Sequence, residues 1–344
     1  MTRVFVGMSG GVDSSVAAVL LVEQGYDVTG VYMKNWSEDL PGMHCPWADD
    51  VADAKRVAVG LGIDFRVFDF QKEYKQNVVD YMIREYQAGR TPNPDVMCNQ
   101  EVKFKVFLEA CLKEGADYIA TGHYARTDGG HLLRARDDNK DQTYFLYRVT
   151  SGALAKTIFP LGDFTKAEVR EMAKDRGLWT ASKKESMGIC FVGQVGIREF
   201  LSEYVETSPG DIIDKQTGLA VGKHDGAIFY TIGQRHGLNV GGGLPYYVVG
   251  KDMAKNEVYV SRSIDDDQLW RRTVQLTDIH WINQPLADGD NIQVRLRHRG
   301  ALIDAVYNEA GLLNLKSAER AVAPGQSAVL YDGETCLGGG IIAA

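Results

Sequence analysis

"VFVGMSGGVDSSVAAVL", residues 4–20, is the stretch whose reading decides the fold. Val4, Phe5 and Val6 run into Gly7, Ser9, Gly10 and Gly11, and a helical pattern begins near Asp13. A strand that stops in glycine and restarts as a helix lets the backbone approach a ligand closely. It also turns the unpaired N–H groups of the helix's first turn toward an anion. The pattern describes a phosphate cradle, with a plain packing turn as the alternative. It lacks the lysine of the P-loop GxxxxGK[ST], whose ammonium faces the β and γ phosphates. Ser9, Ser14 and Ser15 add hydroxyl donors, and Asp13 could hold a cation against the phosphates. Such a cradle is compatible with cleavage elsewhere in a nucleotide.

Outward from that loop the chain alternates. A strand at 27–33 and a helix across 49–61 precede a strand at 64–70, a helix across 73–87, a helix across 102–114 and a strand at 117–125. Strands spaced by helices predict a parallel sheet covered on both faces, with ligands bound beyond the carboxyl ends of the strands. Gly7–Gly11 and Gly122–His123 both fall at such ends, over one crevice. The helix over 165–178 carries its own punctuation, with Thr165 and Glu168 as a capping box and Gly177 as the stop. From about 208 the character changes: AIFYTIG, YYVVGKD, EVYVS, NIQVRLRH, ALIDAVY and SAVLYDG are separated by Gly, Asn and Asp. These runs predict antiparallel β modules, with the acidic SIDDDQLW (263–270) as a joint. The expected division is 1–197, 198–265 and 266–344.

At 344 residues the chain is long for one domain, and its 44% apolar and 24% charged content is that of a soluble globular protein. The longest apolar run, Val16 to Val22, is too short to span a bilayer. No charged leader or transit segment precedes the first strand, so a cytoplasmic, bacterial protein is expected. The five cysteines, at 45, 98, 111, 190 and 336, include no C-x-x-C pair, which argues against a disulfide scaffold or structural zinc. A net charge of −8 argues against indiscriminate nucleic-acid binding but leaves room for a local basic face. "VRLRHRG" (294–300) is the candidate, with Arg295, Arg297 and Arg299 at the strand period of two. They form either a solvated strand face or a contact to RNA.

Two further stretches carry reactive residues. In "GRTPNPDVMCNQEVKF" (89–104) an irregular loop becomes a helix after Asn99, which sets Cys98 near a helix N-terminus, where the dipole favours thiolate. Asp95 lies in the same loop and could move a proton; a surface turn with an incidental cysteine is the other reading. In "KKESMGICFVGQ" (183–194) Cys190, flanked by Gly188, Ile189 and Phe191, reads by itself as a buried strand cysteine. Lys183 and Lys184 would instead give it an electropositive setting. Spacing alone does not pair the two cysteines.

"GMSGGVDSS" resembles the PP-loop of N-type ATP pyrophosphatases, which cleave ATP between the α and β phosphates. "NPDVMCNQEVKF", "TGHYAR", "NKDQTYFLY", "KKESMGICFVG", "FYTIGQRHGL", "YYVVGKD" and "PGQSAVLYDGETCLGGGII" narrow the resemblance to the tRNA-specific 2-thiouridylases, in order from first strand to last. The resemblance implies an α/β fold: a parallel-sheet, adenine-nucleotide α-hydrolase-like N-terminal domain, a small central β domain and a C-terminal β-barrel. It implies an enzyme that replaces O2 of the wobble uridine with sulfur in the tRNAs for Lys, Glu and Gln. ATP would be a substrate, accompanied by Mg2+, held by Gly7, Met8, Ser9, Gly10, Gly11, Val12, Asp13 and Ser14 with Met33 and Gly122. Uridine O2 would attack the α-phosphate, giving an adenylated base and pyrophosphate.

Cys190 would then carry sulfur as a persulfide, received from a donor protein such as a cysteine desulfurase or a sulfur relay protein. That sulfur attacks C2 directly, or Cys98 attacks the persulfide and closes a transient Cys98–Cys190 disulfide. By the same resemblance Asp95 is the acid/base, and Asn93, Pro94 and Asp95 hold the target base. His123, Lys140, Asp141, Gln142, Arg297, His298 and Gln326 match tRNA-contacting positions, and no resident metal is implied. Two stretches depart from the pattern. "WSEDLPGMHCPWADD" (36–50) is variable, and Cys45 within it matches no role; "KKESMG" has Glu-Ser-Met where many bacterial members have Asp-Ser-Thr, as organellar relatives do. Two rival readings are a synthetase that adenylates a small molecule and a non-catalytic tRNA-binding protein. The first explains Gly7–Ser14 but neither the cysteines nor the β modules.

Overall fold

The computed structural model describes residues 1–39, 45–184, 196–238, 240–241 and 245–343; Cys190 lies outside the described residues. The N-terminal part contributes β1 (Arg3–Gly7), β2 (Asp27–Lys34), β3 (Asp64–Asp69), β4 (Tyr118–Thr121), the hairpin of β5 (Arg126–Asp128) and β6 (His131–Leu133), and β7 (Thr157–Ile158). Five of these form a parallel sheet in the order β3-β2-β1-β4-β7. The central strand β1 is buried on both faces: Phe5 packs into one core while Val4 and Val6 pack into the other, as alternation along a strand requires. Helix α1 (Val12–Glu23) covers one face after β1, and α2 (Trp47–Leu61) follows β2 and stops at a left-handed Gly62.

The helix expected after Asn99 starts earlier, at Pro94, whose fixed φ suits a first helical turn. Cys98 therefore sits in the second turn, 3% exposed, where the chain widens into a π-helical segment, Cys98–Val106. The strand expected over 117–125 ends at Thr121, which leaves Gly122 and His123 in a loop beyond its carboxyl end.

The central module is a four-stranded sheet of β8 (Gly210–Asp214), β9 (Ala220–His224), β10 (Tyr247–Asp252) and β11 (Glu257–Ser261), ordered β10-β11-β8-β9. It is mixed rather than antiparallel, because β11 and β8 run parallel. "AIFYTIG" is not a strand. Ala227 and Tyr230 pack into the central core while Ile228 joins the N-terminal core, a distribution a 3₁₀ turn over Ala227–Phe229 provides.

The C-terminal strands are β12 (Trp270–Trp281), β13 (Asn291–Arg295), β14 (Ile303–Asn308), β15 (Leu312–Arg320), β16 (Ser327–Asp332) and β17 (Thr335–Ile342). They run β12-β15-β14-β13-β16-β17, and β12 pairs with β17 to close a six-stranded barrel around Val274, Leu276, Val294, Leu313 and Leu330. The hairpin β5–β6 of the N-terminal part adds to this barrel, Leu132 and Leu133 pairing with Cys336 and Thr335 of β17. No described helix is long and apolar enough to cross a membrane.

One buried ion pair reinforces that junction. The Asp141 side chain is fully buried; Arg295 donates to it at 2.9 Å, and the Thr143 hydroxyl lies 2.9 Å from both carboxylate oxygens. This corrects the alternating-arginine reading. Strand β13 ends at Arg295, which points inward, while Arg297 and Arg299 lie in the following turn, Arg299 with φ 60°. Arg295→Met removes the closest cation from a buried carboxylate and should lower unfolding free energy by about 3–5 kcal/mol, read from denaturant midpoints. Adding Asp141→Asn should recover most of that loss.

Candidate active site

The Gly-rich loop is built by its neighbours. Met8 N–H donates to Val31 O at 2.8 Å, which pins the loop to β2. Gly10 adopts φ 75°, and a side chain there would collide with the Asp50 carbonyl of α2. Ser14 Oγ lies 3.3 Å from Ser9 Oγ and accepts from Ser9 N–H at 3.2 Å, so the first turn of α1 and the loop hold one another. Gly122, from the end of β4, backs onto the same turn: a Cβ on it would stand 2.7 Å from Ser14 N. Met33 closes the other side, its Cε 3.0 Å from where a Cβ on Gly7 would be. The loop residues, Met33 and Gly122 are thus brought together.

Asp13 is held by a partner that sequence reasoning missed. Lys166 Nζ lies 2.6 and 2.8 Å from its two carboxylate oxygens, and the Tyr124 hydroxyl donates to Oδ1 at 2.8 Å. Lys166 is 9% exposed and is the first residue of the helix Lys166–Asp175, directly after the cap Thr165. The capping box with Glu168 is present as expected. A signal was available: a lysine in the first turn stands at the positive end of the helix dipole and needs an anion nearby. No group of three or more His, Cys, Asp or Glu among the described residues could hold a metal ion. With Asp13 already paired, the described residues do not form a protein-built Mg2+ site.

The loop before Cys98 is clamped from three sides. Thr91 N–H donates to Pro324 O at 2.9 Å, Gln326 Nε2 donates to Thr91 O at 2.8 Å, and Thr91 Oγ1 lies 3.0 Å from Thr231 Oγ1 of the central module. Asn93 Nδ2 donates to Ser327 Oγ at 3.1 Å and to the Tyr144 hydroxyl at 3.3 Å. Pro94 is buried beneath. Burial pushes the Asp95 carboxyl above its ordinary value, against the opposing pull of the Lys103 ammonium. Lys103 also approaches His123 Nε2 at 3.5 Å, and His123 Nδ1 lies 2.8 Å from Thr121 Oγ1. Packed by Phe104 and Phe159, His123 is driven well below its usual pKa by burial and then by Lys103, so it is neutral.

The residues matched to tRNA contact divide. Lys140 and Gln142 flank Asp141, and Gln142 Oε1 accepts from Tyr124 N–H at 2.9 Å. Arg297 is exposed and 3.0 Å from Glu319. His298 lies 4.5 Å from the Phe145 ring centre, and burial, then Arg299 and Arg295, lowers its pKa. Asp141 instead turns its carboxylate into the protein, as described above. Lys183, expected to electrify the Cys190 segment, is neutralised by Asp50 at 2.8 Å and Asp53 at 2.7 Å on α2. It fixes the chain beside Gly10 just before residues 185–195, which lie outside the described set. Cys45, Cys98, Cys111 and Cys336 are all buried.

The Asp95 shift sets a pH prediction. A carboxyl whose folded pKa is raised binds its proton more tightly when folded, so stability falls as pH rises through the window from the unfolded value, about 3.9, to the folded one. Above that window the full penalty is present. Asp95→Asn should therefore raise Tm at neutral pH, and the gain should shrink toward zero as pH is lowered through the carboxylate range in paired melting curves.

Three family profiles match in succession: a tRNA methyl transferase HUP domain over residues 2–194, a tRNA methyl transferase PRC-barrel domain over 198–262 and an aminomethyltransferase beta-barrel domain over 271–342. Relatives align over nearly the whole chain. The tRNA-specific 2-thiouridylase MnmA of Bacillus subtilis is 48% identical, covering 99% of this chain and 95% of its own length. That of Chromobacterium violaceum is also 48% identical, covering 99% and 92%. With identity of this extent running through all three modules, the chain belongs to the tRNA-specific 2-thiouridylase family.

Proposed function

We propose that this chain carries out ATP-dependent 2-thiolation of the wobble uridine of tRNA. The observation that supports it best is the end of β4. There Gly122 abuts Ser14 of the Gly-rich loop, and the next residue, His123, meets Lys103, whose charge acts on Asp95. One turn of chain thus ties a nucleotide cradle to the half-buried Asp95 carboxyl and, on the same helix, to Cys98.

In this reading the cradle holds ATP, and the wobble base, taken out of its stack, enters over Asn93–Asp95. Uridine O2 attacks the α-phosphate, the bond to the bridging oxygen of the β-phosphate breaks, and pyrophosphate leaves. Oxide is a poor leaving group from C2, whereas AMP is a good one. A Cys190 persulfide supplies sulfur: either its outer sulfur attacks C2 directly, or Cys98 thiolate attacks the inner sulfur. The second route forms a Cys98–Cys190 disulfide and frees HS⁻, which displaces AMP; an external thiol then reduces the disulfide. Asp95, its pKa raised by burial, accepts or returns a proton at the base. Lys140, Gln142, Arg297, His298 and Gln326 border the face on which the RNA backbone lies, positioning rather than reading it. Mg2+ would arrive with the nucleotide phosphates.

The test combines nucleosides and turnover. tRNA from cells lacking this protein should lose 2-thiouridine at the wobble position by nucleoside mass analysis; unchanged levels reject the reading. With purified protein, pyrophosphate release should require tRNA. Equal release without RNA points to a small-molecule adenylating synthetase instead. Cys190→Ser should abolish sulfur transfer while tRNA-dependent pyrophosphate release persists.

A further inference from the structure

We infer that Lys166 is the phosphate-facing ammonium of the nucleotide site, supplying from a separate helix the charge that the Gly-rich loop lacks. The inference rests on the reading of Gly7–Ser14 as an ATP cradle. Three observations carry it. Lys166 is nine-tenths buried, and its ammonium is delivered to Asp13, the second residue of α1, at the open end of the helix that faces the loop. It stands at the N-terminus of its own helix, where the dipole repels a cation, so its ammonium is held there by the Asp13 carboxylate at the loop and not by its own helix. The pair is also asymmetrically covered: the Lys166 side chain is 11% exposed and that of Asp13 33%, so the ammonium's approach from solvent runs past the carboxylate and the loop.

Around the ammonium the surroundings are fixed. Lys166 N–H donates to Asp137 Oδ2 at 2.9 Å, Nζ lies 5.7 Å from the centre of the Tyr124 ring, and the Tyr124 hydroxyl is bonded to Asp13. That bond to Asp137, together with Val169 and Ala173 buried in the core that α1 also enters, anchors the helix. The lysine is therefore held in place before nucleotide arrives, which is what electrostatic stabilisation of a developing charge requires. Asp13 keeps the ammonium in the mouth of the loop; when ATP binds, the β and γ phosphates share it. As the O2–Pα bond forms and the Pα–O bond to the β-phosphate breaks, the electron pair and its negative charge stay on pyrophosphate, and Lys166 neutralises that charge.

The test compares three ligands on one protein by calorimetry in magnesium buffer: ATP, inorganic pyrophosphate and AMP. Lys166→Met should weaken ATP and pyrophosphate by about ten- to a hundredfold, the range of a charge-assisted contact, while AMP affinity stays within about twofold. Unchanged AMP binding also reports an intact fold. Lys166→Arg, which keeps the charge, should recover part of the loss. Should Lys166→Met fail to fold because Asp13 is left unpaired, Asp13→Asn with Lys166→Met removes both charges and should show the same selective loss. Recovery of wild-type ATP affinity in that double variant, or equal weakening of ATP and AMP in the single one, would make Lys166 a structural counter-charge and overturn the inference. Wild-type protein that binds neither ATP nor AMP would instead overturn the nucleotide reading itself.

Discussion

The arrangement depends on a single buried carboxylate. Asp141 is enclosed between the N-terminal part and the barrel, and its charge is tolerable there because Arg295 and Thr143 meet it directly, with Ala135 N–H at 3.3 Å and Arg134 at 3.8 Å completing the shell. That anchor fixes the short helix Thr143–Leu146. From this helix the Tyr144 hydroxyl donates to Ser327 O at 2.9 Å and accepts from Asn93, while Phe145 packs on His298. Thr143 also lies 3.1 Å from the Tyr331 hydroxyl of the barrel. One ion pair thus helps set the position of the loop before Cys98 relative to the barrel. A loop of prolines and asparagines has little stiffness of its own, and small displacements of reacting groups are costly in rate.

Local features were legible in the sequence because local chemistry determines them. The glycine turn after β1, the Thr165–Glu168 box and the parallel strand–helix alternation all follow from residues within a few positions of one another. What the sequence hid was pairing at a distance. The position of Lys166 in a first helical turn calls for an anion but does not name it; Asp13, 2.6 Å away, lies more than a hundred positions earlier. Arg295 fits an exposed period-two stripe and is buried only because Asp141 waits opposite. The hairpin β5–β6 is too short to be noticed, and it matters only because β17 accepts it. "AIFYTIG" misled for a related reason, its apolar residues serving two cores at once.

The site also holds groups against their solution preferences. Asp95 is kept more basic than usual, His123 is kept neutral, and the helix bearing Cys98 and Lys103 is wound as a π-helix through nine residues. π segments are rare and gather at functional positions. A second π-helical segment, Lys75–Val79, lies on the helix that precedes the 91–95 loop. Such features lower stability locally and persist only where surrounding packing over-determines them. Here that packing includes the fully buried Val78, Val79, Val102 and Phe107.

The hairpin β5–β6 has a consequence for how the molecule is made. Its residues, 126–133, lie between Gly122 of the nucleotide loop's wall and Asp141, so they leave the ribosome long before β17 at 335–342. Until β17 arrives, β6 offers an unpaired edge to any passing strand, and Asp141 lacks Arg295. The N-terminal part is thus born with an open seam that only the last strand of its own chain closes. Two contacts of the nucleotide domain, the free edge of β6 and the Asp141 carboxylate, are thus completed by barrel residues synthesised after it.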